Sequence, residues 1–242
     1  IYKMIDFTQL NNTFFYVTDK QDVINIINVV VTVATSLLLS CIFVSKYVKD
    51  YDTMAIDVGA NIGFWTKPLC EVFTHVHAFE PFHDNRDCLI ENVPTYNYTL
   101  HPVALGNEIK ENQPLYSNTT SCGAGSLDEN KAAKYSGQNT NVFPLDTFNF
   151  TNVGYMKIDV QGTEKEVIQG SLKTLENNNV VLVVELPLNP GRPDYEEEKV
   201  YHDEIQEILS SIGYKWQKPQ YKKEAVFFLK YPSKTNPFKF SP

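Results

Sequence analysis

Acidic residues stand at the ends of several apolar stretches, and one of them comes just before a glycine-rich turn. Asp57 lies near the end of an apolar stretch that begins at Met54, and Gly59, Asn61 and Gly63 follow it. This pattern predicts a buried parallel strand that turns sharply into a helix. Gly59 can adopt backbone angles closed to other residues, and Gly63 lets the helix start close to the strand and a ligand. The turn is therefore a candidate cofactor site.

The spacing of the turn discriminates between cofactors. A dinucleotide fingerprint needs glycine at the first, third and sixth positions, which here hold Gly59, Asn61 and Phe64. Two of the three differ, which disfavours a nicotinamide oxidoreductase. Asp57 and the loop can instead accept hydrogen bonds from an ammonium group and would repel a phosphate, so a cofactor with an amino acid moiety, such as S-adenosylmethionine, fits. The alternative is a tight turn that binds no ligand.

Further acids end the later apolar stretches. From residue 54 onward, strand and helix patterns alternate, which predicts a parallel sheet with helical crossovers. Glu80, Asp159 and Glu185 close three of its strands, and ligands of open α/β sheets bind outside the carboxyl ends of the strands. We therefore expect these acids to converge with Asp57. Glu80 follows Gly59 by roughly 20 residues, the distance at which an acid on the second strand reaches ribose hydroxyls.

The elements that must position these acids follow from the same patterns. Strands are predicted at 54–58, 75–80, 99–104, 113–116, 155–159, 180–185, 214–217 and 225–229, and helices at 62–73, 83–92, 163–176 and 195–212. The small-residue stretch 117–126 is predicted to be a loop. We expect loops 117–140 and 186–195 to form the acceptor pocket.

The sequence resembles the FkbM family of S-adenosylmethionine-dependent O-methyltransferases. The matching blocks follow the family's order over about residues 52–190: Ile56–Gly63, Ala78–Pro81, Val103–Gly106, Pro144–Asp146, Met156–Glu164 and Val183–Glu185. Each block alone is weak evidence for the family, but the complete set is specific for it. Gln161 is a departure, because glutamate is common there in the family, and it puts in doubt any role that needs a carboxylate at this position.

The resemblance implies a Rossmann-like class I methyltransferase fold, with a seven-stranded, mostly parallel sheet, an antiparallel last strand and helices on both faces. It implies methyl transfer to a hydroxyl, often on a sugar, a glycolipid or a polyketide. The residues carried over are Asp57, Gly59, Asn61 and Gly63 for the methionine end of the cofactor, Glu80 for its ribose, and Val103 and Ala104 for its adenine. Simple strand packing is the alternative for the last two.

The transfer itself needs an oriented hydroxyl and a group that takes its proton. Asp159 is the first candidate for the base or for substrate positioning, although it could instead anchor the Gly162 turn or the cofactor's amino group. Glu185 is the second candidate, as a substrate hydrogen-bonder or a metal ligand. Lys157 is the third catalytic candidate, and simple pairing with an acid is its alternative role. Asp159, Glu185 and His202 could form an oxygen-rich divalent site, but no spacing requires one, so no metal ligand is predicted. Trp65 is expected in the core rather than stacked on a sugar.

The amino-acid composition limits the classes of molecule that the protein is expected to bind. The net charge of −8 and the pI near 5.1 argue against a nucleic-acid partner and favour a neutral or weakly charged substrate. The four cysteines show no Cys-x-x-Cys pair, which is typical of reduced thiols and a cytoplasmic location. The function expected is O-methylation of a carbohydrate or glycoconjugate, by an enzyme or by one domain of a larger glycan-modifying protein. A non-catalytic cofactor-binding module and a methyltransferase for a non-sugar small molecule remain the alternatives.

The chain divides into three parts. Residues 1–50 are expected to form a hairpin and a helix that pack on the core, residues 51–230 the methyltransferase domain, and residues 231–242 an irregular tail. The stretch 23–48 is apolar and long enough to cross a bilayer. Its many asparagine, serine and threonine residues favour a buried helix over a membrane anchor.

Overall fold

The computed structural model describes residues 3–7, 13–17, 52–94, 96–118, 121–130, 134–186, 194–217 and 225–230. The strands are β1 (Lys3–Phe7), β2 (Thr13–Val17), β3 (Met54–Val58), β4 (His75–Phe79), β5 (Tyr98–His101), β6 (Ala104–Leu105), β7 (Lys110–Asn118), β8 (Ser121–Ser126), β9 (Lys134–Phe143), β10 (Val153–Ile158), β11 (Val181–Glu185), β12 (Tyr214–Gln217) and β13 (Ala225–Lys230). The α-helices are α1 (Thr66–Val72), α2 (His83–Asn92), α3 (Glu164–Gln169), α4 (Leu172–Asn177) and α5 (Tyr195–Ser211), and a 3-10 turn spans Leu145–Phe148.

The main sheet is mostly parallel, with the strand order β12-β13-β11-β10-β3-β4-β5. β13, the last of the described strands along the chain, runs antiparallel to both of its neighbours. The predicted α/β class with a parallel sheet is confirmed. Because β3, β4, β10 and β11 are adjacent and parallel, their carboxyl ends meet at one edge.

The central strands are buried on both faces, as their continuous apolar sequences predict. On one face, alternate residues such as Ile56 and Met156 pack with apolar residues of α3, α4 and α5. On the other face, Ala55 and Tyr155 pack with α1, and Trp65 lies partly buried against this cluster. Of the two roles considered for Trp65, the structure therefore shows packing in the core.

A second sheet lies between β5 and β10 in the sequence. It has four strands in the order β6-β9-β7-β8. The sequence predicted only 113–116 as a strand here, and the prediction of a loop over 117–126 is wrong for β8. β9 was not predicted, because its polar sequence has no alternation of apolar residues to reveal it. The predicted strand 99–104 is likewise two elements, since β5 ends at His101 and Ala104 belongs to the second sheet.

Two predicted helices have different bounds. The helix predicted from residue 62 begins at Thr66, because the positive φ angles of Asn61 (51°) and Gly63 (91°) hold the preceding residues in a turn. The helix predicted over 163–176 is two helices, α3 and α4. The Asp146 carboxylate accepts hydrogen bonds from the backbone N–H of Lys173 and Thr174, so a new helix start is stabilised at α4.

The first 50 residues are described only as an antiparallel hairpin of β1 and β2, in agreement with the predicted hairpin. The predicted helix within 23–48, residues 187–193 of the predicted pocket loop and the tail 231–242 lie outside the described residues. Among the described helices, none combines the length and the apolar character needed to cross a bilayer.

Candidate active site

The glycine turn after β3 is held tightly against both neighbouring strands. The backbone N–H groups of Gly59 and Ala60 both donate to the Phe79 carbonyl, each at 3.0 Å. Gly59 has φ 76°, and a Cβ built there would lie 1.8 Å from the Asp159 carbonyl oxygen. Glycine is therefore required by the backbone angle and by the close approach of the chain leaving β10.

Gly63 is needed for a second reason. It has φ 91°, and a Cβ at this position would lie 2.8 Å from a Val93 methyl group and 3.3 Å from Leu89. Asn61 also has a positive φ, and its own side-chain oxygen accepts a hydrogen bond from the Ile62 N–H at 2.7 Å. Asparagine tolerates this conformation because its short polar side chain bonds locally.

Glu80 ties the glycine turn to the end of β4. One carboxylate oxygen accepts from the Asn61 N–H at 2.8 Å, and the other accepts from the Phe82 N–H at 2.8 Å and from Asn85 Nδ2 at 3.3 Å. Burial raises the pKa of Glu80 to about 6, although these hydrogen bonds and Lys157 favour its charged form. The acid predicted to bind ribose therefore also holds the adjacent turn.

Lys157 is the buried cation of the site. Its ammonium donates to the Gly59 carbonyl at 2.8 Å and lies 3.5 Å from Asp57 and 3.4 Å from Asp159. Burial acts to lower the pKa of Lys157, but the Asp159, Asp57 and Glu185 carboxyl groups outweigh it and raise this pKa. The predicted pairing of Lys157 with acids is thus present, and the lysine balances two carboxylates in the interior.

Asp57 has acceptor capacity that the described residues leave unused. Its Oδ2 accepts from the Thr66 hydroxyl at 2.7 Å. Its Oδ1 is buried and, within the described part of the chain, has no hydrogen-bond partner, although the Lys157 ammonium lies near it. A buried carboxylate oxygen of this kind suits a cationic donor and disfavours a phosphate.

Asp159 and Glu185 form a coupled carboxyl pair at the ends of β10 and β11. Gln161 Nε2 donates to both, at 2.7 Å to Asp159 and 3.0 Å to Glu185. The two carboxyl groups also act on each other electrostatically, since the Asp159 charge raises the pKa of Glu185. The side chain of Asp159 is 28% exposed, so the pair is accessible at the mouth of the site.

The electrostatic surroundings of the two acids push their pKa values apart. Burial and the Asp159 charge raise the pKa of Glu185 well above its ordinary value. Burial also acts to raise the pKa of Asp159, but the Lys157 charge and the hydrogen bond from Gln161 hold it below its ordinary value. Of the two acids, Glu185 is therefore the one that keeps its proton to higher pH.

The turn between Asp159 and α3 is fixed by residues that the sequence did not single out. The Glu164 carboxylate accepts from the Val160 N–H at 3.2 Å and from the Gly162 N–H at 3.0 Å. The Tyr201 hydroxyl of α5 accepts from the Lys165 N–H at 2.9 Å, and the Ser126 hydroxyl of β8 donates to the Gln161 carbonyl at 2.8 Å. Glu164 belongs to the matched block Met156–Glu164, which was the one available signal for these contacts.

Three other candidate residues are not part of this cluster. Val103 is partly buried against the core beside β5, and Ala104 is buried in β6, so their predicted contact with adenine stays a prediction. His202 is buried on α5. Within the described residues, no group of three His, Cys, Asp or Glu side chains could hold a metal ion. The divalent site weighed for Asp159, Glu185 and His202 is not assembled.

The strand order and the polar site at the carboxyl edge define an α/β fold with a ligand site at its strand ends. The profile of the Methyltransferase FkbM domain matches residues 57–216. The chain belongs to this family, and the resemblance drawn from its sequence blocks is confirmed. No curated protein matches the sequence significantly.

Two solved structures have a similar fold. The first is the FkbM methyltransferase of Methylobacillus flagellatus KT, with a TM-score of 0.50 and 18% identity over 73% of this chain and 43% of that chain. The second is a Streptococcus mutans protein assigned to the methyltransferases and solved in complex with SAH, with a TM-score of 0.50 and 13% identity over 81% of this chain and 97% of that chain. This chain thus spans less than half the length of the Methylobacillus protein.

Proposed function

We propose that this protein is an S-adenosylmethionine-dependent O-methyltransferase that acts on a hydroxyl group of a carbohydrate or glycoconjugate. The observation that carries the proposal is the single sheet edge where the Asp57 turn lies beside the coupled pair of Asp159 and Glu185. One part of this edge suits the cofactor, and the neighbouring part offers a proton acceptor. Membership of the FkbM family supports methyl transfer as the class of reaction.

The residues around the glycine turn fit the cofactor. The buried Oδ1 of Asp57 can accept from an ammonium group, and the turn of Gly59, Asn61 and Gly63 lets the ligand approach the backbone closely. Glu80 is the acid for the ribose hydroxyls. When bound, S-adenosylmethionine would supply a methyl group that its sulfonium has already activated. The SAH complex of the Streptococcus mutans protein, which shares the fold, supports this choice of cofactor.

The pKa shifts favour Glu185 over Asp159 as the proton acceptor. A carboxylate with a raised pKa is a stronger base than one whose pKa is lowered, and a general base works best when its pKa lies near the working pH. Asp159 is held as a carboxylate by Lys157, and its charge raises the pKa of Glu185. The hydroxyl proton would pass to the ionised Glu185 carboxylate. Activity is then expected to increase as the pH rises through the pKa of Glu185.

The second sheet supports a neutral, hydroxyl-rich acceptor. Its exposed side carries uncharged polar groups in a connected row: the Tyr135 hydroxyl donates to Asn139 at 2.8 Å, and Asn139 Nδ2 donates to Asn112 at 2.9 Å. Ser126 links the edge strand of the same sheet to the turn at Gln161. Tyrosine and asparagine side chains suit sugar hydroxyls, and the net charge of −8 disfavours a polyanion.

Cofactor binding and methyl transfer test the proposal separately. Calorimetry with S-adenosylhomocysteine should give micromolar binding for the wild type and greatly weakened binding for Asp57→Asn and Glu80→Gln. Glu108→Gln is the matched control, because the Glu108 side chain is 66% exposed and pairs with Lys110. Circular dichroism should show that each variant is folded. No heat with either form of the cofactor from the wild-type protein would refute the assignment.

A panel of acceptors then separates the remaining alternatives by mass spectrometry. A methyl gain on a hydroxyl of a sugar acceptor is expected. A methyl gain only on non-sugar small molecules would mean that the acceptor is not a sugar. Cofactor binding without turnover on any acceptor would indicate a non-catalytic module. Thermal protection by NAD instead of S-adenosylhomocysteine would indicate an oxidoreductase.

A further inference from the structure

Gln161 occupies the centre of the carboxyl pair. Its side-chain amide nitrogen lies 2.7 Å from Asp159 Oδ1 and 3.0 Å from Glu185 Oε2, so one NH₂ group donates to both acids at once. These two acids come from different strands, and the amide bridges the ends of β10 and β11. A glutamate at this position could not donate in this way and would place a third carboxyl group beside the pair.

The backbone of Gln161 is held in place from both sides. Its φ angle is 59°, a left-handed conformation that non-glycine residues adopt rarely. The Gln161 carbonyl accepts from Ser126, and the Glu164 carboxylate accepts from the N–H groups of Val160 and Gly162. Because the structure around this residue enforces an uncommon backbone angle, the side chain is directed at the pair with little freedom.

The surroundings of Asp159 and Glu185 are rich in acidic groups, so a hydrogen-bond donor without charge at position 161 affects both acids. Lys157 is the cation that contacts Asp159, and it is shared with Asp57. Glu164, on the following helix, adds a further acidic group that raises the pKa of Glu185. The cluster therefore holds four carboxyl groups around one ammonium. Gln161 adds hydrogen-bond donors without adding charge.

We propose that Gln161 is a positioning residue that holds the Asp159 and Glu185 carboxyl groups side by side by donating a hydrogen bond to each, so that Glu185 is oriented to take the substrate's proton. The inference rests on the proposed function, because it assigns Glu185 as the group that takes the substrate's proton. Gln161 acts through the two acids and is not itself placed in contact with the substrate. Its amide sets the pH range over which Glu185 becomes an acceptor.

The pH dependence of kcat/KM tests this role in the full chain. Gln161→Glu should move the ascending limb to higher pH by about one unit or more, because another carboxyl group disfavours ionisation of Glu185. Gln161→Met, which keeps the length but loses the donor, should lower kcat by about tenfold or more through loss of orientation. S-adenosylhomocysteine affinity should stay within about twofold of wild type in both variants.

Gln169→Glu is the matched control, since Gln169 lies at the end of α3 and its side-chain oxygen accepts a hydrogen bond from Asn107 at 2.9 Å. It should leave the pH profile unchanged. A wild-type pH profile and kcat in Gln161→Glu would overturn the proposal, as would an equal shift in Gln169→Glu.

Carbon-13 NMR titration of the labelled carboxyl groups gives a result that does not depend on turnover. In the wild type, Glu185 should titrate well above Asp159, and in Gln161→Glu its midpoint should rise. If the wild type binds no cofactor, the proposed function fails, while the NMR titration still tests the effect of Gln161 on Glu185. If cofactor binding and turnover are normal but Glu185 titrates in the ordinary range, the role of Gln161 is refuted while the proposed function stands.

Discussion

Replacing Lys157 with methionine should destabilise the protein strongly. The Lys157 ammonium lies 3.5 Å from Asp57 and 3.4 Å from Asp159, and its side chain is 5% exposed. At an effective dielectric constant near 20, each contact corresponds to roughly 5 kcal/mol before the cost of desolvation. Removing one partner of a buried pair leaves an uncompensated charge and typically costs about 3 to 5 kcal/mol. We expect a loss in that range for Lys157→Met.

Urea denaturation at pH 7, followed by circular dichroism, measures this loss as a change in the free energy of unfolding. The double variant Lys157→Met/Asp57→Asn should be more stable than Lys157→Met by about 1 to 2 kcal/mol, because the fully buried carboxylate is replaced by a neutral amide. The amide oxygen introduced by Asp57→Asn can still accept the hydrogen bond from the Thr66 hydroxyl, so this contact is preserved.

Lys165→Met provides the surface comparison. Lys165 pairs with Glu204 at 2.8 Å, but the two side chains are 26% and 49% exposed, and such pairs contribute at most about 1 kcal/mol. If Lys157→Met costs no more than Lys165→Met, or if the second substitution brings no recovery, Lys157 is not the charge that compensates the buried acids. The reasoning about the site's electrostatics would then be wrong.

Two further substitutions probe the site turn and the histidine cluster. Gly59→Ala should lower the free energy of unfolding by about 3 kcal/mol or more, because the new Cβ would overlap the Asp159 carbonyl at a positive φ angle. Gly137→Ala is the control: its φ is 83° and no atom lies within 4 Å of the new Cβ, so the loss should be about 1 kcal/mol. Equal denaturation midpoints for the two variants would contradict this prediction. Burial, followed by neighbouring His101 and His75, lowers the pKa of His77 to about 4. As the pH drops, His77 takes up a proton in the unfolded state before it does so in the folded state. The free energy of unfolding should therefore fall by about 1 kcal/mol between pH 6.5 and pH 4, a value reduced because the side chain is half exposed. If His77→Asn shows the same dependence of stability on pH as the wild type, His77 is not its origin.

The sequence was most informative where the structure depends on local pattern. The continuous apolar stretches ending at Val58 and Glu185 predicted the buried parallel strands, because only strands covered on both faces tolerate such composition. The glycines at 59 and 63 predicted the turn, because positive φ angles and close contacts exclude a Cβ. The polar strand β9 gave no such signal, and its position depends on backbone pairing with β7 and β6.

The sequence by itself determined the order of the elements, the glycine turn and the placement of four acids at strand ends, because these follow from periodicity and from residues adjacent in the chain. Only the tertiary structure decided which side chains meet. It assigned Lys157 to two acids at once and brought Ser126 to the Gln161 turn across 35 residues. It also raised the pKa of Glu185 while lowering that of Asp159. Burial and charge at these acids depend on strand order and on contacts between distant segments, which no local pattern encodes.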